Sequence, residues 1–275
     1  MVDDELIIDV GMHTGQDTAN YLAKGFRVVA VEADPALVEA ANHRFAGEMA
    51  DGRLRIVHGA VSEEVGTVAL AVADGLTEWS SVSEDFIARQ RTVGLVTREV
   101  EVPAVRFQDV LEVSGIPHYL KIDIEGADML AVRALRDFED RPHFVSIETV
   151  AHAGWTSKTG IFDELAELWT LGYRRFQYVP QGNHSRTSEP VPAREGGPSG
   201  LALEDTGSGL FGEELAGEWI DVDAALDRAR RLRSGQKLIN LGMRYAHTRP
   251  VRAFASLRRS VGRPVPWYDL HARLD

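Results

Sequence analysis

Five apolar runs punctuate the first 149 residues: LIIDV (6–10), RVVAVEA (27–33), LRIVHGAV (54–61), HYLKIDI (118–124) and HFVSIET (143–149). They are short and nearly continuous in Val, Ile and Leu, the pattern of parallel strands buried on both faces. Amphipathic segments separate most of them. Pro35 opens one, because its missing N–H falls where a helix has no partner for it, and ALVEAANHRFAGEM continues at helical spacing. Asp128, after Gly126, is a plausible cap for the helix MLAVRALRDF. GTVALAVA (66–73) and REVEVPAVRF (98–107) read as an added hairpin with a further strand beside the core, joined by DGLTEWSSVSEDF. Ile161 to Leu171 reads as a helix, YRRFQYVPQ as a strand and WIDVDAALDRARRL as a helix. The pattern predicts a doubly wound α/β fold with a mostly parallel sheet.

Between the last strand and the last helix the pattern lapses. Residues 182–217 are dominated by Gly, Pro, Ser and Thr, as in GNHSRTSEPVPAREGGPSG, and offer little for a core. A structureless stretch of that length is expected to be disordered or to cover an active site, and a lid is the preferred expectation. The expected organisation is a core over 1–181, a flexible loop or lid over 182–217, and a C-terminal extension over 218–275 that packs on the core.

The first two strands and their connection carry the most specific chemistry. Asp9 and Gly11 follow the apolar run, a turn passes Gly15, and Glu32 closes the second strand 21 residues beyond Gly11. In open α/β sheets nucleotides bind at the carboxyl ends of such strands, and an acid about 20 residues on takes the ribose hydroxyls. A dinucleotide fingerprint reads GxGxxG and lets a pyrophosphate sit on the helix N-terminus. Here the pattern is DxGxxxG, with Met12 at the second glycine position. It resembles motif I of the class I S-adenosylmethionine-dependent methyltransferases, whose fold is Rossmann-like.

Further residues narrow the resemblance. DVGMHTGQDT, VEADP, GAVS at 59–62, WSSVSED and LKIDIEGAD, in this order, resemble the FkbM family of methyltransferases over about residues 6–150. SGLFGEELAGEWI resembles a tail of bacterial members. Such enzymes transfer the methyl group of S-adenosylmethionine to hydroxyl oxygens of polyketides, saccharides and similar acceptors. The chain departs from the family at Met12 and His13, where alanine and asparagine are more usual, a change expected at the methionine end of the cofactor pocket.

The candidate cofactor site comprises Asp9, Gly11, His13, Gly15, Glu32, Ala60, Val61, Ser81 and Asp123. Glu32 is expected to take the ribose diol, Ala60 and Val61 to frame the adenine, and the glycines to let the backbone approach the cofactor. Chemistry is expected where the fourth and fifth strands end. Alternation in LKIDIEG places Lys121, Asp123 and Glu125 on one side, and charges in a central strand are costly unless paired or functional. Asp123 and Glu148, on neighbouring strand ends, are candidate ligands for a hard divalent cation such as magnesium, which would lower the pKa of an acceptor hydroxyl. The competing reading is an ion-pair network neutralised by Lys121. Asp123, Glu125 and His152 are the candidate catalytic groups, with His152 or Glu125 as base; His143, at the start of its strand, reads as structural.

Composition adds limits. Hydrophobic residues make up 44% and charged residues 26%, ordinary for a globular protein. A net charge of −12 argues against a nucleic-acid partner, and the arginine-rich stretch Arg228–Arg273 reads as a solvated helix face. No signal peptide or membrane-spanning run is visible, and the chain contains no cysteine, so a cytoplasmic enzyme without a membrane partner is expected. Its partner is expected to be a small-molecule or oligosaccharide acceptor. Loop tryptophans (Trp79, Trp155, Trp219, Trp267) favour a saccharide, with a methylated mannose oligosaccharide as one specific case. A polyketide or other natural-product hydroxyl is the alternative. From other classes, an NAD-dependent oxidoreductase or a non-catalytic cofactor-binding protein would share motif I. The first lacks the second glycine and the second leaves the charged strand unexplained.

Overall fold

The computed structural model describes residues 1–73, 80–83, 97–149, 160–181, 187–203, 206–244 and 268–275. Its centre is a seven-stranded sheet in the order β3-β2-β1-β7-β8-β10-β9. The strands are β1 (Val2–Val10), β2 (Arg27–Glu32), β3 (Leu54–His58), β7 (Ile116–Ile122), β8 (Phe144–Glu148), β9 (Arg175–Pro180) and β10 (Tyr268–Arg273). The first five are mutually parallel, and β10 runs antiparallel to both neighbours. A smaller sheet, β4-β6-β5, joins β4 (Ala60–Val61), β5 (Gly66–Ala73) and β6 (Thr97–Val105), with β5 and β6 antiparallel as the alternation predicts.

The continuous apolar runs are explained by burial on both faces. Leu6, Ile8 and Val10 face one cluster with Leu120, Ile122, Val145 and Ile147. That cluster is covered by α4 (Phe107–Ser114), α5 (Asp128–Ala134), α6 (Gly160–Thr170) and α7 (Val222–Arg244). Ile7, Val28, Ala30 and Tyr119 face the other, against Tyr21 and Leu22 of α1 (Gln16–Ala23), Ala41 of α2 (Pro35–Arg44) and Phe211. A short α3 (Ala46–Ala50) follows α2. The Asp34 side chain caps α2 by accepting from the Ala36 N–H at 2.8 Å, ahead of Pro35 in the first turn.

Strand order reverses at the centre. From β1 the chain builds outward through β2 to β3, then returns to lay β7 on the other side of β1. The carboxyl ends of β1 and β7 therefore flank the topological switch point, where open α/β sheets bind ligands.

Two segments differ from expectation. Residues 268–273 do not sit on the core as an extension; they form β10, inside the sheet between β8 and β9. The segment expected as a structureless lid has, in its described part, buried contacts. Leu203, Leu210 and Leu215 form a small cluster with Val179 and Trp219. The Lys24 Nζ lies 2.8 Å from Glu189 and 2.9 Å from Glu214, with both the lysine and Glu214 buried. Ser208 N–H donates to Asp17 at the other end of α1. The few charged and apolar residues among the glycines and prolines thus strap the segment along α1.

Candidate functional site

The turn after β1 is held from three sides. The N–H groups of Gly11 and Met12 both donate to the Val31 carbonyl, at 2.9 and 3.1 Å, and Gly15 N–H closes on Met12 at 2.9 Å. Lys121 Nζ donates to the Gly11 carbonyl at 2.9 Å. Gly11 has φ 88°, and a Cβ there would stand 1.9 Å from the Asp123 carbonyl oxygen, so β7 exits directly against the turn. Gly15 has φ 77° and packs on Phe45 and Met12. The Met12 side chain, 2% exposed, enters the α1–α2 cluster.

Glu32 sits at the end of β2 with both carboxylate oxygens oriented. Oε2 accepts from His13 N–H and Oε1 from Asp34 N–H, each at 2.8 Å. His13 adopts φ 52°, which turns its amide toward the acid. Burial pushes the Glu32 carboxyl up to about 7, against these hydrogen bonds, which favour the ionised form. Ala60 and Val61 are buried just beyond β3, where Gly59 N–H donates to the Glu32 carbonyl at 2.9 Å.

Asp9 is fully buried beneath the turn. Its Oδ2 accepts from Thr18 Oγ1 at 2.7 Å, and its Oδ1 lies 3.2 Å from Lys121 Nζ. The same ammonium stands 3.7 Å from Asp17 and 3.8 Å from Asp123. Burial raises the Asp9 carboxyl, opposed by Lys121, while the surrounding acids hold the Lys121 ammonium well above its ordinary range despite burial. These contacts tie Asp9 to α1 and to the lysine that holds the Gly11 carbonyl. Ser81 is 2% exposed, and its hydroxyl donates to the Glu125 carbonyl at 2.7 Å.

Beyond Ile122 the strand stops, and alternation no longer dictates direction. Glu125 takes φ 49° in the turn before α5. That turn brings Asp123, Glu125 and Glu148 together, each with a carboxylate oxygen within 4.8 Å of the others'. Asp123 is the more open, its side chain 43% exposed. The Glu148 carboxyl is raised well above the carboxylate range by burial, then by the charges of Glu125, Asp123, Asp128 and Asp269. Three carboxylates at this separation are a donor set that suits a hard divalent cation. His152, Trp79, Trp155 and Trp267 lie outside the described residues. Trp219 is described, and packs against Phe144 with the Arg273 guanidinium over its ring.

The sequence pattern of the family described as "Methyltransferase FkbM domain" matches residues 9–175, more than half of the chain. The chain belongs to this family. The match spans the glycine turn, Glu32, Asp123, Glu125 and Glu148, and it carries S-adenosylmethionine-dependent methyl transfer as the family chemistry. No curated protein matches the chain.

Among solved structures, the chain is similar to the methyltransferase FkbM from Methylobacillus flagellatus KT, at 18% identity and TM-score 0.42. That likeness covers 65% of this chain and 40% of that one. It is also similar to a precorrin-6y C5,15-methyltransferase from Geobacter metallireducens GS-15, at 12% identity and TM-score 0.36, over 66% and 69% of the two chains. A third is an S-adenosylmethionine-dependent methyltransferase from Thiobacillus denitrificans with bound S-adenosyl-L-homocysteine, at 11% identity and TM-score 0.34, over 100% and 87%. At these scores the likenesses say nothing of site or acceptor.

Asp269 is a further carboxylate beside this cluster, one that sequence reasoning missed. It pairs in register with Glu148 across β10 and β8, is buried, and has its carboxyl raised well above the ordinary range by burial and then by Asp123. The signal was the alternation in YDLHAR, obscured by the polar residues that β10 buries. Among the described residues, no helix is long and apolar enough to cross a membrane.

Proposed function

We propose that the chain is an O-methyltransferase that moves the methyl group of S-adenosylmethionine to a hydroxyl of a saccharide. The observation that carries this reading is the convergence of Asp123, Glu125 and Glu148 beside the glycine turn, at the switch point of the sheet. Glu32 accepts from the two ribose hydroxyls, its oxygens already aimed by the amides of His13 and Asp34. Gly11 and Gly15 let β7 and Phe45 pack directly on the turn and so hold it in shape for the cofactor, and Ala60 and Val61 frame the adenine. Asp9, through Lys121 and Thr18, keeps the turn in place.

Asp123 and Glu148 would hold a divalent cation of the magnesium class, with Glu125 beside them. Bound there, such an ion supplies Lewis acidity that lowers the pKa of an acceptor hydroxyl. The protein's own contribution is placement and proton management. The acceptor oxygen attacks the methyl carbon in line with the departing sulfur; the O–C bond forms as the C–S bond breaks, leaving S-adenosylhomocysteine. The hydroxyl proton passes to Glu125, whose carboxylate the turn before α5 brings beside Asp123 and Glu148. Asp123, half open to solvent, orients the acceptor, and Ser81 fixes the turn that carries Glu125.

A polyhydroxylated acceptor suits a carboxylate cluster, because neighbouring hydroxyls donate to several carboxylate oxygens at once, and a net charge of −12 disfavours anionic acceptors. A mannose oligosaccharide is one such acceptor, and a polyketide hydroxyl is the alternative. The test is a reaction with labelled methyl donor, offering neutral oligosaccharides and polyketide alcohols in parallel. Label on a saccharide oxygen by mass spectrometry supports the proposal. Label only on polyketide alcohols, or only on nitrogen or carbon, refutes it.

A further inference from the structure

At the opposite end of the sheet, where the parallel strands begin, lies a cavity of about 880 Å³. Its walls include Asp4, His118, His143, Phe26, Glu195 and Arg273. Three of these residues lie in or next to three adjacent strands. Asp4 lies in β1, where the pairing with β7 breaks between Asp3 and Ile7; such a break re-aims a side chain. His118 lies in β7, and His143 immediately precedes β8. One ring nitrogen from each histidine and one carboxylate oxygen of Asp4 stand within 4.8 Å of one another.

The geometry points to a transition-metal site of the zinc class, formed by His118, His143 and Asp4 and independent of methyl transfer. The donors are imidazole and carboxylate, the pair that selects zinc-like ions over magnesium or calcium. His143 Nε2 and Asp4 Oδ1 are 3.2 Å apart. Two ligands about 2.0–2.1 Å from one ion at a tetrahedral angle stand about 3.3 Å apart. His118 is prepared for ligation by what surrounds it. Its Nε2 lies 2.7 Å from Glu195 Oε2, and a carboxylate only accepts, so the proton of a neutral ring stays on Nε2. Nδ1 then keeps its lone pair, and it is buried without a hydrogen-bond partner among the described residues.

A carboxylate behind a histidine, fixing the tautomer that ligates, is the usual outer support of a metal-bound imidazole. Glu195 is itself held, since its other oxygen accepts from Glu213 N–H at 2.7 Å. Phe26 stacks on the imidazole at 6.0 Å and 11°, and Phe144 meets it edge-on at 5.4 Å. These contacts and the Glu195 hydrogen bond set the plane of the ring. Three protein ligands leave a fourth position open toward the cavity for water or a small ligand.

The test uses the full chain without an affinity tag, stripped with chelator and titrated with zinc by competition calorimetry. The expected result is one tightly bound equivalent, with affinity at least tenfold weaker in His143→Ala and in Asp4→Asn. Both side chains are exposed enough for the fold to survive their loss, which the metal-free unfolding midpoint checks. Cobalt in place of zinc should give the intense visible bands of a four-coordinate ion, lost in His143→Ala. Absence of saturable zinc binding overturns the proposal. So does binding that both variants retain while Asp123→Asn abolishes it, because that places the ion among the carboxylates at the other end of the sheet.

Discussion

Replacing Glu32 with glutamine separates what the carboxylate does for the ligand from what it costs the fold. Burial raises its carboxyl from an ordinary 4.5 to about 7. At about 1.4 kcal/mol per pH unit, that rise is worth about 3 kcal/mol. The folded protein holds this proton more tightly than the unfolded chain does. The associated stability is complete below pH 4.5 and is lost as pH climbs through about 7. The difference in unfolding free energy between E32Q and the wild type should therefore shift by about 3 kcal/mol in favour of the variant across that window. Cofactor affinity should move the other way. Ribose hydroxyls need an ionised acceptor, so wild-type affinity for S-adenosylhomocysteine should rise up to tenfold per pH unit below 7 and level off above it. In the variant two charge-assisted hydrogen bonds are weakened, each worth about 1.5–3 kcal/mol before compensation by water. E32Q should bind at least tenfold more weakly above neutrality, with a flat pH profile. Urea unfolding and calorimetry at about pH 5, 6, 7 and 8 read both curves. A wild-type affinity that does not change with pH, together with unaltered binding by E32Q, would refute the reasoning.

Chelation should stop methyl transfer and added magnesium restore it, with Asp123→Asn and Glu148→Gln each raising the metal concentration needed; full turnover in excess chelator removes the cation from the reaction. Gly11→Ala forces a left-handed φ on a residue whose Cβ meets the Asp123 carbonyl at 1.9 Å, and should cost at least about 2 kcal/mol and the cofactor site. An unfolding midpoint within a degree of wild type would show that the turn is looser than drawn. Removing residues 268–275 should abolish cooperative unfolding, because β8 and β9 then lose the strand between them. A soluble, cooperatively folded truncation would contradict that placement.

Much of the core was legible because its strands obey one rule. LIIDV, RVVAVEA and HFVSIET are apolar at odd and even positions alike, and both faces are covered by helices. Glu32 and the glycine turn were readable for the same reason, since a strand end fixes where the next residues must go. Direction became unreadable past Ile122. Alternation predicted that Glu125 would follow Lys121 and Asp123 on one side, yet its left-handed backbone is what brings it to Glu148. β10 was missed because Asp269 and His271, polar residues that sequence reading places outside, are buried in the sheet. The buried contacts that strap the described part of residues 182–217 along α1 were not readable for a related reason. The segment's glycines and prolines mask Glu189 and Glu214, whose buried partner Lys24 is 165 and 190 residues away in sequence.

The position of β10 also sets an order of assembly. Its neighbours β8 and β9 end at residues 148 and 180, yet the strand that joins them begins at Tyr268. On a chain made from the N-terminus at roughly 5–20 residues per second, both strands present unpaired amides for several seconds before their partner exists. During that interval β8 can be satisfied on one side only, by β7, and β9 has no sheet to join. Such edges are templates for pairing with another molecule. Closure waits on a contact of long sequence separation, a slow class of folding event. Yield in a host should consequently depend on chaperone capacity and synthesis rate more than the stability of the finished sheet would suggest.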